Sequence, residues 1–169
     1  ITVFQKMERK YQDKPYRFFS KENEFAGKTR NFAAEKALGE YIMFVDSDNI
    51  VCPDMIEKFV YGIQHSGCDC LSSYMHYFHG ELTLEQSEVS EGIYSPTGPA
   101  LELAMFHNCV GDVNIIVKRE AFLASGGFGT ERYGYEDWRY LIKLSLLGYR
   151  LDVIPICLYY YRVLPNSVN

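Results

Sequence analysis

The sequence predicts an α/β layered fold around a largely parallel sheet, and three observations carry that expectation. Stretches with helically spaced apolar residues alternate with short, continuously apolar runs. One run, "YIMFV" (41–45), is apolar throughout, as a strand covered on both faces should be. It leads directly into "DSDN" (46–49), and in sheets of this kind ligands gather at the carboxyl ends of the strands.

Val3, Phe4, Met7 and Tyr11 recur at helical spacing, so the chain opens on a helix, and "KPYRFFS" (14–20) then reads as a short strand. "KTRNFAAEKALG" (28–39) is an alanine-rich helix closed by Gly39, and the 41–45 strand follows. "PDMIEKFVYGIQHSG" (53–67) has proline at a first helical position and glycine at its end. "CDCLSSYMHYF" (68–78) continues the sheet. Residues 79–99 are polar with glycine and proline, an irregular excursion of a length that often serves function. A short helix around "ALELAMFH" (100–107), a strand "DVNIIVKR" (112–119), a short helix "EAFLAS" (120–125) and a turn "GGFG" (126–129) come next. "EDWRYLIKLSLLG" (136–148) is an apolar helix closed by Gly148, followed by two strands, "RLDVIP" (150–155) and "CLYYYR" (157–162). No repeat or linker interrupts residues 1–169, so a single domain is expected.

Bulk properties exclude several classes. The net charge is −5 and the seventeen basic residues are scattered, which is not the footprint of a nucleic-acid binder. No apolar run reaches membrane-spanning length. The five cysteines (Cys52, Cys68, Cys70, Cys109, Cys157) show no C-x-x-C pair, which argues against a disulfide framework or a zinc site and suits a reducing cytosol. Fourteen tyrosines include the groups Tyr133, Tyr135, Tyr140 with Trp138, and Tyr159 to Tyr161. Such rings suit both cores and carbohydrate faces.

Asp46 and Asp48, two apart, would share a face if the strand extends that far. Their mutual repulsion is relieved by a divalent cation, and Mg²⁺ or Mn²⁺ held by one or two carboxylates plus phosphate oxygens is the usual arrangement. A polar turn leaving a strand is the competing explanation. Glu136 and Asp137 open the late apolar helix, where the helix dipole favours acids and would keep them ionised. A carboxylate there could also act as a general base. His76 and His79 would face opposite ways, His65 ends a helix, and His107 would join a metal only through a tertiary contact. Arg30, Lys28 and Arg162 are candidate phosphate contacts.

The segments "AGKTRNFAAEKALGEYIMFVDSDNIVCPDMIEKF", "SGGFGTERYGYEDWRYLIKLSLLGYRLDVIP" and "LYYYRV" together resemble the family 2 glycosyltransferases, inverting enzymes with the GT-A fold, over roughly residues 18–165. The likeness lies in an ordered set: an R-N helix, G-E-Y-I before D-x-D, G-G-F, E-D at a helix start, then Y-R. It implies a Rossmann-like α/β/α sandwich with a mostly parallel sheet. Asp46 and Asp48 match the D-x-D that holds a divalent metal, and with it a nucleotide-sugar donor such as a UDP-sugar. Asp137 matches the general base, with Glu136 beside it. Arg30 lies in the segment approaching the donor, Gly126 and Gly127 match the turn flanking the acceptor, and Trp138 would line the acceptor pocket.

The resemblance also implies direct displacement at the anomeric carbon, a glycan or lipid-linked acceptor, bacterial polysaccharide assembly, and a cytoplasmic location at the inner face of the membrane. The family's first strands, with their P-x-Y-N and D-D-G-S segments, are not in this sequence. A partial catalytic domain with a sheet edge able to pair with another copy is therefore expected. "FVDSDNI" also approaches the nucleophile loop of haloacid-dehalogenase-like phosphatases, but "GDVNII" places Ile116 where that class wants an aspartate. A non-catalytic carbohydrate-binding module is the remaining alternative.

Overall fold

The structure is a computed structural model that describes residues 3–13, 15–80, 87–132 and 134–164; Tyr133 and residues 81–86 of the expected excursion lie outside them. Helix α1 (Val3–Lys10) opens the chain as its spacing predicts. The strand expected at 14–20 is not formed, and residues 16–25 have no regular structure. Its rings pack instead of pairing: Tyr16 lies edge-on to Tyr11 at 5.1 Å and Phe19 edge-on to Phe32 at 5.8 Å. Helix α2 (Ala26–Lys36) stops at Ala37, whose backbone is already extended, so Gly39 does not close it.

Strand β1 (Tyr41–Met43) is followed by β2 (Ile50–Val51), then by α3 (Met55–Ser66), which ends at Gly67. Strand β3 (Cys70–Gly80) forms where 68–78 was read as a strand, and it pairs antiparallel with β4 (Ser87–Tyr94), which lies inside the segment read as irregular. Backbone pairing needs no apolar alternation, so hydropathy gives no sign of this arm. After α4 (Leu101–Ala104), β5 (Ile116–Lys118) and α5 (Arg119–Ala124) come α6 (Glu136–Leu146) and β6 (Leu151–Arg162). The two C-terminal strands expected are one. Ile154 pairs with Ser73 and Cys157 with Tyr74, so Pro155 falls in a register shift, where its missing N–H leaves no ladder bond unmade.

The sheet runs β1-β5-β3-β6-β2, with β4 also on β3. Among the described residues only β3 and β6 run parallel; the pairings β1–β5, β3–β5, β2–β6 and β3–β4 are antiparallel. The expected parallel predominance is therefore corrected to a mixed sheet. An apolar run reports that both faces are covered, whatever the direction of the neighbouring strand. Both faces are indeed covered, and alternate residues serve opposite sides. Val117 and Cys70 join a cluster with Ala34, Phe122, Phe128 and Leu144, whereas Ile116 and Leu71 join one with Met55, Phe59 and Ile63. Helices α2, α5 and α6 thus lie on one face and α3 on the other.

Helix α2 sits very close to the loop after α5. A Cβ on buried Gly27 would overlap the Gly129 carbonyl, which is backbone and has little freedom to move. Gly27→Ala is expected to cost about 1–3 kcal/mol by overpacking. A lowered denaturation midpoint at unchanged slope checks it.

Candidate active site

The approach of α2 to that loop is fixed by one side chain. Asn31 donates through Nδ2 to the Phe128 carbonyl and accepts the Phe128 N–H on Oδ1, both at 2.9 Å. The turn that presents Phe128 needs φ of +76° at Gly126 and +63° at Gly127, and a Cβ on Gly127 would run into Asn31. Gly126 and Gly127 therefore lock α2 against α5. The neighbouring residue on α2, Arg30, is held with its guanidinium over the Phe128 ring, 5.7 Å from the centroid.

Arg30 joins the two acidic motifs. Nη2 donates to Asp46 Oδ1 at 2.7 Å and Nη1 to Glu136 Oε1 at 2.6 Å, so a carboxylate 16 residues away and one 106 residues away share one guanidinium. The three side chains are 20%, 30% and 22% exposed, which shelters the pairs from full screening. Burial opposes the guanidinium's charge, but Asp46 and Glu136 prevail and raise its pKa.

Asp46 and Asp48 lie beyond the carboxyl end of β1, as expected, but β1 ends at Met43 and they occupy a turn in which Asn49 N–H donates to the Asp46 carbonyl at 3.3 Å. Strand alternation therefore does not align them. Asn49 Oδ1 accepts the Arg162 N–H at 3.2 Å and ties this turn to the end of β6. Asp48 forms no hydrogen bond or ion pair among the described residues.

Asp137 accepts the Trp138 N–H on Oδ1 at 2.8 Å. Its burial chiefly, with the charges of Asp112 and Glu136, pushes its pKa up to about 6. The helix start was expected to keep this acid ionised at neutral pH; desolvation raises its pKa against that influence, to a value still below 7. Trp138 is anchored by Nε1–H donated to the Ala104 carbonyl at 2.9 Å, and its ring meets Tyr135 edge-on at 6.0 Å.

A second buried acid, Asp112, had no place in the sequence argument except as a failed match. It is 9% exposed. Its Oδ1 accepts the Tyr159 hydroxyl at 2.6 Å and the Asn114 N–H at 2.9 Å, and Oδ2 accepts Asn114 Nδ2–H at 2.9 Å. Burial raises its pKa, against these hydrogen bonds. Tyr161, two residues beyond Tyr159 on the same side of β6, has its phenol pKa raised by burial and then by Asp112, Asp48, Asp46 and Asp137. All four carboxylates thus lie near the Tyr161 phenol. The spacing rule that singled out Asp46 and Asp48 applies equally to Asp112 with Asn114 and to Tyr159 with Tyr161, and it could have found them.

The remaining candidates lie elsewhere. Lys28 pairs with Glu24 at 3.8 Å on the surface, and the Arg162 guanidinium bonds the Gly80 carbonyl. His76 stacks on Tyr160 at 5.4 Å. Among the described residues no three His, Cys, Asp or Glu side chains gather as a metal site, so His107 does not complete one with Asp46 and Asp48.

The sequence profile described as Glycosyl transferase family 2 matches residues 4–122. An uncharacterized glycosyltransferase of Haemophilus influenzae is 27% identical over 129 residues, which cover 72% of this chain and 41% of that protein. A putative teichuronic acid biosynthesis glycosyltransferase of Bacillus subtilis, TuaG, is 24% identical over 153 residues, 89% of this chain and 58% of that protein. Among solved structures, S. aureus TarS 1–349 in complex with UDP-GlcNAc aligns with a TM-score of 0.70 at 19% identity, over 96% of this chain and 47% of that one. The UDP complex of the same fragment gives a TM-score of 0.60 at 24% identity, over 82% of this chain and 40% of that one. At such identities the likeness shows the fold. The chain spans about half the length of these relatives.

Proposed function

Since the chain belongs to glycosyl transferase family 2 and carries the GT-A fold, we propose that it is the core of a metal-dependent, inverting glycosyltransferase moving a sugar from a nucleoside-diphosphate donor to a hydroxyl of a glycan or lipid-linked acceptor. One observation carries the reading: Arg30 holds Asp46, of the first acidic motif, and Glu136, of the second, on a single guanidinium.

Asp46 and Asp48 are the donor end. Asp46 keeps its Oδ2 free of the Arg30 pair, and Asp48 presents a whole carboxylate, a hard-oxygen set suited to Mg²⁺ or Mn²⁺ sharing phosphate oxygens. When bound, such an ion neutralises the diphosphate and stabilises it as leaving group. Arg30 orients Asp46 and brings positive charge to the same place. Asp137 is the base that takes the proton of the acceptor hydroxyl as that oxygen attacks the anomeric carbon. A pKa of about 6 leaves it mostly ionised at pH 7 yet basic enough to accept a proton. Glu136, engaged by Arg30, positions the donor end instead of serving as a second base. Trp138 and the Gly126–Gly127 turn form the acceptor side.

The TarS complexes with UDP and UDP-GlcNAc support a UDP-sugar donor, and the name of the Bacillus relative supports a cell-surface polysaccharide as product class. The reading puts the reaction in the bacterial cytoplasm, at the inner face of the membrane, with peripheral attachment and self-association through a sheet edge as accompanying expectations. Among the described residues no helix is long and apolar enough to cross a membrane.

The test is thermal denaturation of the full-length protein with Mn²⁺ and a panel of UDP-sugars, because a ligand at about 100 times its Kd adds about 2.7 kcal/mol to the folded state. The cognate donor should raise the melting temperature of the wild type, and Asp48→Ala should abolish the metal-dependent part of that rise. A folded Asp48→Ala protein with an undiminished rise would refute the metal assignment. Glycan binding without turnover of any activated sugar would replace the enzyme by a binding module.

A further inference from the structure

Asp46 is gripped at two points. Its carboxylate meets Arg30, and its backbone N–H points at Asn114 Oδ1, 3.4 Å away. The second grip lies where the sheet ladder gives out. Met43 pairs with Ile116, and Phe44 N–H still reaches the Ile115 carbonyl at 3.3 Å. Beyond that the chain before β5 curls on itself, with Ile115 N–H donating to the Val113 carbonyl at 2.8 Å. A side chain, Asn114, takes over where the backbone partner is lost.

A side-chain amide can serve Asp46 N–H only if its oxygen faces that way, and nothing in Asn114 itself chooses between its two orientations. Asp112 makes the choice. Its Oδ1 is taken by the Tyr159 hydroxyl and the Asn114 N–H, and Oδ2 accepts Nδ2–H of the Asn114 amide, turning the amide oxygen toward Asp46. Asn114 is 1% exposed, so water does not substitute for a lost partner.

We infer that Asp112 and Asn114 form a buried relay that sets the backbone of Asp46, making both of them positioning residues for the donor end of the cleft. The inference rests on the function proposed above, because it gives the Asp46 turn a donor to hold. In Asp112→Asn the new amide keeps its oxygen toward Tyr159 and the Asn114 N–H, so its NH2 faces the Asn114 NH2. Asn114 must flip, and two donors then meet at Asp46 N–H. The exchange Asp112→Asn with Asn114→Asp restores the pattern: the amide of residue 112 donates to one oxygen of residue 114, and the other oxygen accepts Asp46 N–H. Tyr159→Phe removes a bond to Asp112 without turning the Asn114 amide.

Two readouts on the full-length protein decide this: calorimetric affinity for UDP in Mn²⁺, and hydrogen–deuterium exchange of a peptide containing Asp46. Asp112→Asn is expected to weaken UDP binding by about 10- to 100-fold, the range for partners that orient metal-binding groups, and to speed exchange at Asp46. The double variant should recover most of both, and Tyr159→Phe should stay within about twofold of wild type although its fold is weakened. If Asp112→Asn does not fold, Asn114→Leu, which keeps the shape and removes both hydrogen bonds, should show the same loss. Wild-type affinity and exchange in either single variant, or a double variant no better than Asp112→Asn, would overturn the relay. A wild type that binds no UDP would overturn the proposed function instead, and the exchange data would still decide the relay.

Discussion

Asp137→Asn is expected to lower glycosyl transfer by about 10²- to 10⁴-fold, the usual worth of a positioned base, while making the folded protein more stable at neutral pH. The amide is isosteric and still accepts the Trp138 N–H, so the start of α6 is preserved and only the proton acceptor is lost. The stability gain follows from the direction of the pKa shift. Burial raises Asp137 to about 6, above its ordinary 3.8, so the folded chain binds this proton more tightly than the unfolded chain does. That contribution to stability is full below pH ~4 and is lost as pH rises through 6. At pH 7 the ionised carboxylate therefore costs up to about 3 kcal/mol, which a neutral amide avoids. In activity the sign is opposite: kcat/KM of the wild type should fall about tenfold per pH unit below 6, and that limb should vanish from the residual rate of the variant. Wild-type turnover by Asp137→Asn would remove Asp137 from the chemistry.

Arg30→Met is expected to reduce donor binding and turnover at least about 10²-fold and to cost about 1–3 kcal/mol of stability. Methionine fills much of the arginine stem, so the loss arises from two half-sheltered carboxylates left without their cation. The magnitude is below that of a fully buried pair because Asp46 and Glu136 remain 30% and 22% exposed. Arg30→Lys should rescue little, since one ammonium does not reproduce a fork that bonds two carboxylates at once. Adding Glu136→Gln to Arg30→Met should recover part of the stability and none of the activity. Recovery of activity would mean that Arg30 serves only to neutralise charge. The two effects separate by comparing denaturation midpoints with Kd for UDP in Mn²⁺.

What the sequence made legible is what local pattern encodes. Helix α1 was visible in its apolar spacing, α2 in its alanines, α3 in its bounding proline and glycine, α6 in its apolar content, and β1 in the continuous run that ends at the acidic turn. Arg30, Asp46 and Glu136 were singled out from charge and position, and again through the ordered likeness to family 2 members, before their contact was known. Strand direction was not legible, because burial on both faces looks the same in parallel and antiparallel neighbours; hence the mixed sheet in place of a parallel one. The β4 arm was hidden because backbone hydrogen bonds carry it, and the two C-terminal strands merged because a register shift accommodates Pro155. The site's inner wall was missed for another reason. The spacing of Asp112 and Asn114 was visible, but their importance lies in Asn114 facing Asp46 and in the 2.6 Å contact that anchors Asp112 to Tyr159 on β6, contacts which no local window contains. The raised pKa of Asp137 was hidden likewise, because burial is a property of the assembled fold.

In the proposed reaction the Asp46–Asp48 turn and Asp137 serve one donor and acceptor site joined through Arg30. Anomalous diffraction at the manganese edge, from crystals of the full-length protein grown with UDP and Mn²⁺, tests it most directly. A manganese peak is expected on the Asp48 carboxylate, with the diphosphate between it and Arg30 and its β-phosphate turned toward Asp137. A manganese–UDP complex seated away from residues 46–48, or with its diphosphate facing away from Asp137, would contradict it.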